Sequence, residues 1–258
     1  MQTQKTSNLS LTTQISSQTK VGLEFELEGI ENTYFYECPY SQMIWNVEND
    51  GSLRNNGKEF IFAAPIEARY VPLMIDNLYN TLLKNEFETS FRTSIHCHVD
   101  CRDMDVLSVG ALVILYTLYE DIFFTCLDVH RQDNIYCVPL TKAPLGWDFT
   151  APASISMKYA ALNTECLKRF GTVEFRHLEA TSDVDKIISF VKMFVELRDF
   201  AANRLVESLI ELCEETNSKD KFMSLTSEIF QDTSYIFIEN AWEMFNTNRK
   251  NILFSLGV

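Results

Sequence analysis

The chain has 258 residues with 22 Lys+Arg against 36 Asp+Glu, a net charge of −14. Its 46% hydrophobic content excludes a chain that is disordered throughout. The acidic balance argues against nucleic acid and anionic membranes as partners, but it admits anionic small substrates when divalent cations stand between the charges.

In chain order, residues 1–19 are rich in Gln, Ser and Thr and read as a mobile polar tail without an export signal. Residues 20–258 contain no Gly/Pro-rich linker and read as one domain, with order expected to begin at Val21. The seven cysteines include no CxxC pair, which fits free thiols in a reducing, cytoplasmic setting. Period-two patterns predict strands over Gly22–Glu28, Lys58–Phe62, Ser94–Asp100 and Thr172–His177. Helical spacing predicts helices over Val71–Phe87, Val106–Leu127, Val184–Glu214, Phe222–Phe230 and Tyr235–Phe245. Asp103 or Asp105 can cap the second of these helices, and Asp183 the third. The most apolar stretch, Val106–Tyr119, has 14 residues, short of the ~20 that cross a bilayer. Strands and helices do not alternate regularly, so the expected class is α+β with a largely antiparallel sheet.

The chemistry lies on one side of those strands. Alternation puts Leu23, Phe25 and Leu27 on one side of the first strand and Glu24, Glu26 and Glu28 on the other. Carboxylates spaced roughly 6.6 Å apart repel unless they are solvated or bridged by a cation. In the third strand Ile95, Cys97 and Val99 face a core, while His96, His98 and Asp100 face away. Histidines at i and i+2 are a common ligand arrangement, although a hydrogen-bonded pair on a half-buried sheet has the same pattern. Glu59 faces away from Phe60 and Phe62, and Glu174 and Arg176 face away from Val173 and Phe175. Each of these segments alone reads as a solvated acid or a cross-strand pair. Together, if the strands are neighbours, they compose a concave site of Glu24, Glu26, Glu59, His96, His98, Glu174 and Arg176. Such an oxygen-dominated set suits Mg2+ or Mn2+ better than Zn2+, and a guanidinium beside it suits phosphoryl transfer. His130 and His177 read as ordinary polar residues, and no Walker A or GxSxG motif is present.

Gly22-Leu23-Glu24-Phe25-Glu26 resembles the GxExE strand of the amidoligases, a family of the carboxylate–amine ligase superfamily with the fold of glutamine synthetase and glutamate–cysteine ligase. The resemblance continues in order through Trp45, Asp50-Gly51-Ser52-Leu53, Lys58-Glu59-Phe60, His96-Cys97-His98-Val99, Arg131–Cys137, Lys158–Asn163 and Thr172–Arg176, over roughly residues 20–200. It implies a curved antiparallel sheet with helices on its outer face, and a helical C-terminal part over 201–258. The activity implied is ATP-dependent: a substrate carboxylate takes the γ-phosphoryl group, and an amine then displaces phosphate to form an amide or peptide-like bond. By position, Glu24, Glu26, Glu59, His96 and Glu174 match metal ligands for Mg2+ or Mn2+, and His98 lies towards ATP. Arg176, with Glu174 and Glu59, matches the catalytic group, and Arg176 contacts the transferring phosphoryl. Arg131 and Lys158 match positive positions, for which contact with phosphate or substrate carboxylate is the natural use. The triplet Thr93-Ser94-Ile95 departs from the family's Cys-Gly-Leu. Two other readings stay open: a metal-dependent hydrolase built on His96 and His98, and a non-catalytic scaffold that retains the fold.

Overall fold

The structure, a computed structural model, describes residues 15–31, 34, 37–84, 86–142, 157–231 and 240–257. It is α+β, and seven strands among the described residues form one antiparallel sheet. β1 (Lys20–Leu27) lies centrally, between β3 (Lys58–Phe62) and β5 (Ser94–Asp100). β2 (Trp45–Glu48) extends the β3 edge, while β7 (Thr172–Glu179) and then β6 (Leu162–Asn163) extend the β5 side. The two-residue β4 (Ile66–Glu67) pairs with the start of β1. The four expected strands are present, and Lys58–Phe62 and Ser94–Asp100 keep their expected bounds.

One face of this sheet is the core. Leu23, Phe25, Leu27, Ile95, Cys97, Val99, Val173 and Phe175 are all buried. They meet α3 (Val106–Thr125) and α6 (Val184–Ala202): the Phe175 ring stacks on Phe194 at 4.0 Å, and the Tyr116 ring lies 5.9 Å from Phe175. On the other flank Phe25 meets Trp45 and Tyr79 edge-on. Phe and Leu on one side of each strand thus bury apolar area at about 1.5–3 kcal/mol per side chain. Meanwhile the opposite side of each strand is left to polar groups.

α3 starts where Asp105 accepts a hydrogen bond from the Ser108 N–H at 2.7 Å. It outruns the 14-residue apolar stretch because Ile122, Phe123 and Phe124 continue the buried surface to Thr125. At 20 residues it is long and apolar enough to cross a membrane, but 67% of that stretch is buried and it packs against α6, making it a core helix.

Several expected helices are revised. After the short α1 (Ser41–Ile44), the segment from Val71 is α2 (Val71–Asp76), which continues as a π-helical stretch over Asn77–Leu82. The long helix expected over Val184–Glu214, capped by Asp183 as anticipated, breaks after Ala202. A new helix, α7 (Val206–Glu215), begins where the Ser208 hydroxyl accepts from the Leu205 N–H and donates to the Leu205 carbonyl. An Arg204–Glu228 ion pair at 2.8 Å ties that break to α8 (Lys219–Ile229), which covers the expected helix around Phe222. The redirected α7 packs on α3 and on α9 (Ala241–Leu256). α9 outlasts the expected Phe245 end by eleven residues, stopping at Gly257 in the left-handed region (φ 75°). Positions 232–239, which held the expected start of that helix, lie outside the described residues.

Of the expected polar tail, residues 1–14 lie outside the described residues. The last five are docked rather than loose. Ile15 is buried, and the Ser17 and Thr19 hydroxyls each donate to the Asp199 carboxylate at 2.7 Å. Apolar burial of Ile15 and a shared acceptor on α6 account for order that starts ahead of Val21.

One irregularity positions the site. Ile95 pairs with Leu178 and Cys97 with Phe175, so three steps along β7 match two along β5. This is a β-bulge at Arg176 and His177. It lets Phe175, His177 and Leu178 all serve the core while Glu174 and Arg176 face away from it.

Candidate functional site

The polar side of the sheet forms a cleft of about 580 Å³, within the ~300–1,000 Å³ range usual for small-molecule sites. Strand register builds its floor in three rows. Glu59 on β3 stands opposite Glu26, which stands opposite Ser94. Glu24 stands opposite His96. His98 stands opposite Glu174, which stands opposite Asn163 on β6. Antiparallel pairing of the strands therefore gathers residues from five separate stretches of sequence onto one surface.

The groups interlock. His96, buried, puts Nδ1 3.3 Å from Glu24 Oε2 and 3.3 Å from Glu174 Oε1, with Nε2 2.9 Å from the Ser94 hydroxyl. Ser94 donates in turn to Glu26. His98 Nε2 lies 3.0 Å from Glu24 Oε1. Arg176 Nη1 donates to Glu174 Oε1 at 2.5 Å and lies 3.5 Å from His96 Nδ1, while its Nε–H donates to the Tyr136 carbonyl at 3.3 Å. Asn163 Nδ2 donates to the other Glu174 oxygen at 2.6 Å. Glu24, His96 and Glu174 each offer a ligand atom, all within 4.8 Å of one another.

The electrostatics show strong crowding. Burial would raise the Glu24 pKa, but hydrogen bonds from His96 and His98, with their charges, outweigh it and hold the carboxyl well below the usual range. Burial would likewise raise Glu174, and the charges of His96, Arg176 and His98 keep it low. Burial works against a charged His98, yet hydrogen bonds to Cys166 and Glu24, with the charges of Glu24 and Glu174, push it up to about 10. Glu59 goes the other way. Burial, then repulsion from Glu24, Glu26 and Asp50, pushes it up to about 8. A carboxylate so crowded by its own kind fits a divalent cation: oxygen donors outnumber imidazoles, and a cation between them removes the repulsion. Glu24, Glu26, Glu59, His96 and Glu174 are the residues that would hold it.

Lys158 joins the cleft at its exposed rim. Arg131 does not line it, which corrects the expectation of a contact with phosphate or substrate carboxylate. It lies on the short α4 (Val129–Gln132) and is buried, and its guanidinium donates to the carbonyls of His177 at 2.9 Å and Arg176 at 2.5 Å. Those carbonyls sit in the β7 bulge, where the regular ladder is interrupted, so Arg131 satisfies backbone and holds Arg176 from behind. Glu28, the third acid of the first strand, is also diverted: Arg92 Nε and the Arg54 N–H both bind Glu28 Oε1, at 2.9 and 2.7 Å. His177 is buried on the helix face, as its position in the alternation suggests. Sequence reasoning gave no role to Arg92, Asn163 or Cys166, all of which line the cleft. Asn163 closed one of the quoted motifs, which was the available signal. Cys166 had none.

Fold and cleft together define an α+β protein whose sheet presents an acid–imidazole–guanidinium site, a candidate cation centre. Comparison of the chain with known protein families and with curated proteins finds no match.

Proposed function

We propose that this chain is an ATP-dependent carboxylate–amine ligase of the amidoligase type, with a glutamine synthetase-like catalytic domain and Mg2+ or Mn2+ as its metal. The observation that carries this reading is the convergence of Glu24, Glu26, Glu59, His96, His98, Glu174 and Arg176 on one cleft. Those are the positions at which the family motifs place ligands and the phosphoryl contact. A divalent cation bound by the carboxylates and His96 supplies charge neutralisation for the triphosphate. Arg176 Nη1, held between Glu174 and His96, is placed to stabilise charge on the phosphoryl group passing from ATP to the substrate carboxylate. Glu174 and Arg131 fix that guanidinium and its strand, so little reorganisation is needed as charge moves. The amine then attacks the acyl phosphate carbonyl, phosphate leaves, and an amide remains. Rim residues Lys158 and Arg169 offer positive charge to a small or peptide carboxylate. A histidine-rich hydrolase is less well supported, because His130 and His177 do not line the cleft.

The test is thermal unfolding with a non-hydrolysable ATP analogue and Mg2+. Together they should raise the melting temperature more than the sum of each alone, by mass action on the folded state. Glu24→Gln and Arg176→Ala should remove that joint gain and abolish ATP turnover. Unchanged ATP consumption by both variants overturns the site assignment, and no joint gain in the native protein overturns the ligase reading.

A further inference from the structure

The cleft contains a second cluster whose ligand chemistry differs from the first. His98, Cys166 and Glu174 each offer one ligand atom, and these atoms lie within 4.8 Å of one another. Cys166 opens α5 (Cys166–Phe170), the short helix that follows β6. Its Sγ lies 3.5 Å from Glu174 Oε2 and 3.5 Å from Asn163 Nδ2. The nitrogen, thiol and carboxylate come from three different elements, β5, α5 and β7.

We propose that His98, Cys166 and Glu174 form a second cation site in this cleft, for a thiophilic divalent ion of the Zn2+ class. One nitrogen, one sulfur and one carboxylate oxygen make a three-ligand set with a fourth position open to the cleft, the pattern of an exchangeable tetrahedral site. Bond lengths of about 2.0–2.3 Å put donors of such a site some 3.3–3.7 Å apart. The sulfur–carboxylate pair already has that separation, and His98 Nε2 lies 4.0 Å from Glu174 Oε1.

The surroundings orient these ligands as metal sites require. His98 Nδ1 is hydrogen-bonded to the Thr172 hydroxyl at 3.1 Å. That contact leaves Nε2, which lies 3.0 Å from Glu24 Oε1, as the ring atom on the cleft side, and a bound ion would replace its proton. The Phe170 ring stands edge-on to the imidazole at 6.1 Å and limits its rotation. Asn163 donates to both Cys166 and Glu174, setting the thiol and the carboxylate side by side.

Glu174 is the shared element. Its Oε1 faces His96 and Arg176, and its Oε2 faces Asn163 and Cys166. One carboxylate can therefore link an oxygen-rich site at one end with a sulfur-containing site at the other. The inference stands on side-chain placement alone and does not require the ligase reading.

Co2+ is the probe, added to the full-length protein under reducing conditions. The native protein should develop a near-ultraviolet sulfur-to-cobalt charge-transfer band with the strong visible absorption of a four-coordinate ion, and Zn2+ should displace both. Cys166→Ser should lose the charge-transfer band while keeping its circular dichroism. Asn163→Ala, which leaves all three ligands, should weaken Co2+ binding by about 10–100-fold. Glu59→Gln, at the other end of the cleft, should keep the band. Absence of the band in the native protein, or its persistence in Cys166→Ser, overturns the proposal.

Discussion

His98 and His177 stand on neighbouring strands of the same sheet, one on each face, and the two faces treat the same side chain in opposite ways. On the cleft face His98 sits between Glu24 and Glu174 and is pushed up to about 10. On the helix face burial, helped by the charge of Arg131, pushes His177 down to about 3. His177 Nε2 meets the Tyr116 hydroxyl at 2.6 Å, and Tyr116 donates to the buried Glu120 at 2.7 Å. Glu120 accepts further hydrogen bonds from the Leu140 and Thr141 N–H groups. The core thus holds a polar chain that is largely satisfied internally, whereas the cleft holds carboxylates that press against one another. The first arrangement supports a fixed structure and the second prepares a surface for a cation.

Substitutions and pH can break this contrast. The largest stability effect is expected on the helix face. Phe175→Ala removes the ring stacked on Phe194 and should cost about 3–5 kcal/mol in denaturant unfolding. A loss under 1 kcal/mol would mean that this face is not the core. The pH dependence comes next. His177 has its folded pKa below its unfolded one, so the unfolded chain takes up the proton first. Its contribution is therefore present above about pH 6.5 and is lost as pH falls towards 3. Relative to His177→Phe, the native protein should lose about 2 kcal/mol between pH 6 and pH 4.5. Parallel pH profiles for the two proteins would sink this assignment. The smallest effect concerns the N-terminal segment. Deleting residues 1–17 removes buried Ile15 and the Ser17–Asp199 hydrogen bond. It should cost about 1–2 kcal/mol after the entropy regained by the chain. An unchanged melting temperature would show that this docking contributes nothing.

The parts of the molecule legible in the sequence are those where a repeat has room to show. Five to seven residues of alternation announced β1, β3, β5 and β7, and with them the face on which Glu24, Glu59, His96 and Glu174 meet. β4 and β6 have two residues each, too few for any period, so Asn163 could not be placed on the sheet. The break before α7 carries neither Gly nor Pro, and apolar spacing runs through Asn203-Arg204, which is why the two helices read as one. Arg131 misled for another reason. The family resemblance alone assigned it a ligand contact, and only the bulge in β7 reveals carbonyls in need of a donor. Cys166 depends wholly on the fold, since no spacing in the sequence links it to His98 or Glu174.

That bulge also limits how the protein can be altered. Side chains at 24, 59 or 174 can be exchanged without disturbing the apolar residues behind them, because each strand assigns its two sides separately. Removing a single residue between Phe175 and Leu178 would be far worse. It would straighten the strand, remove Arg176 or His177, and leave the buried Arg131 guanidinium short of one of its two carbonyl partners. A library that varies residue identity across the cleft should therefore yield many folded members, and one that varies strand length almost none.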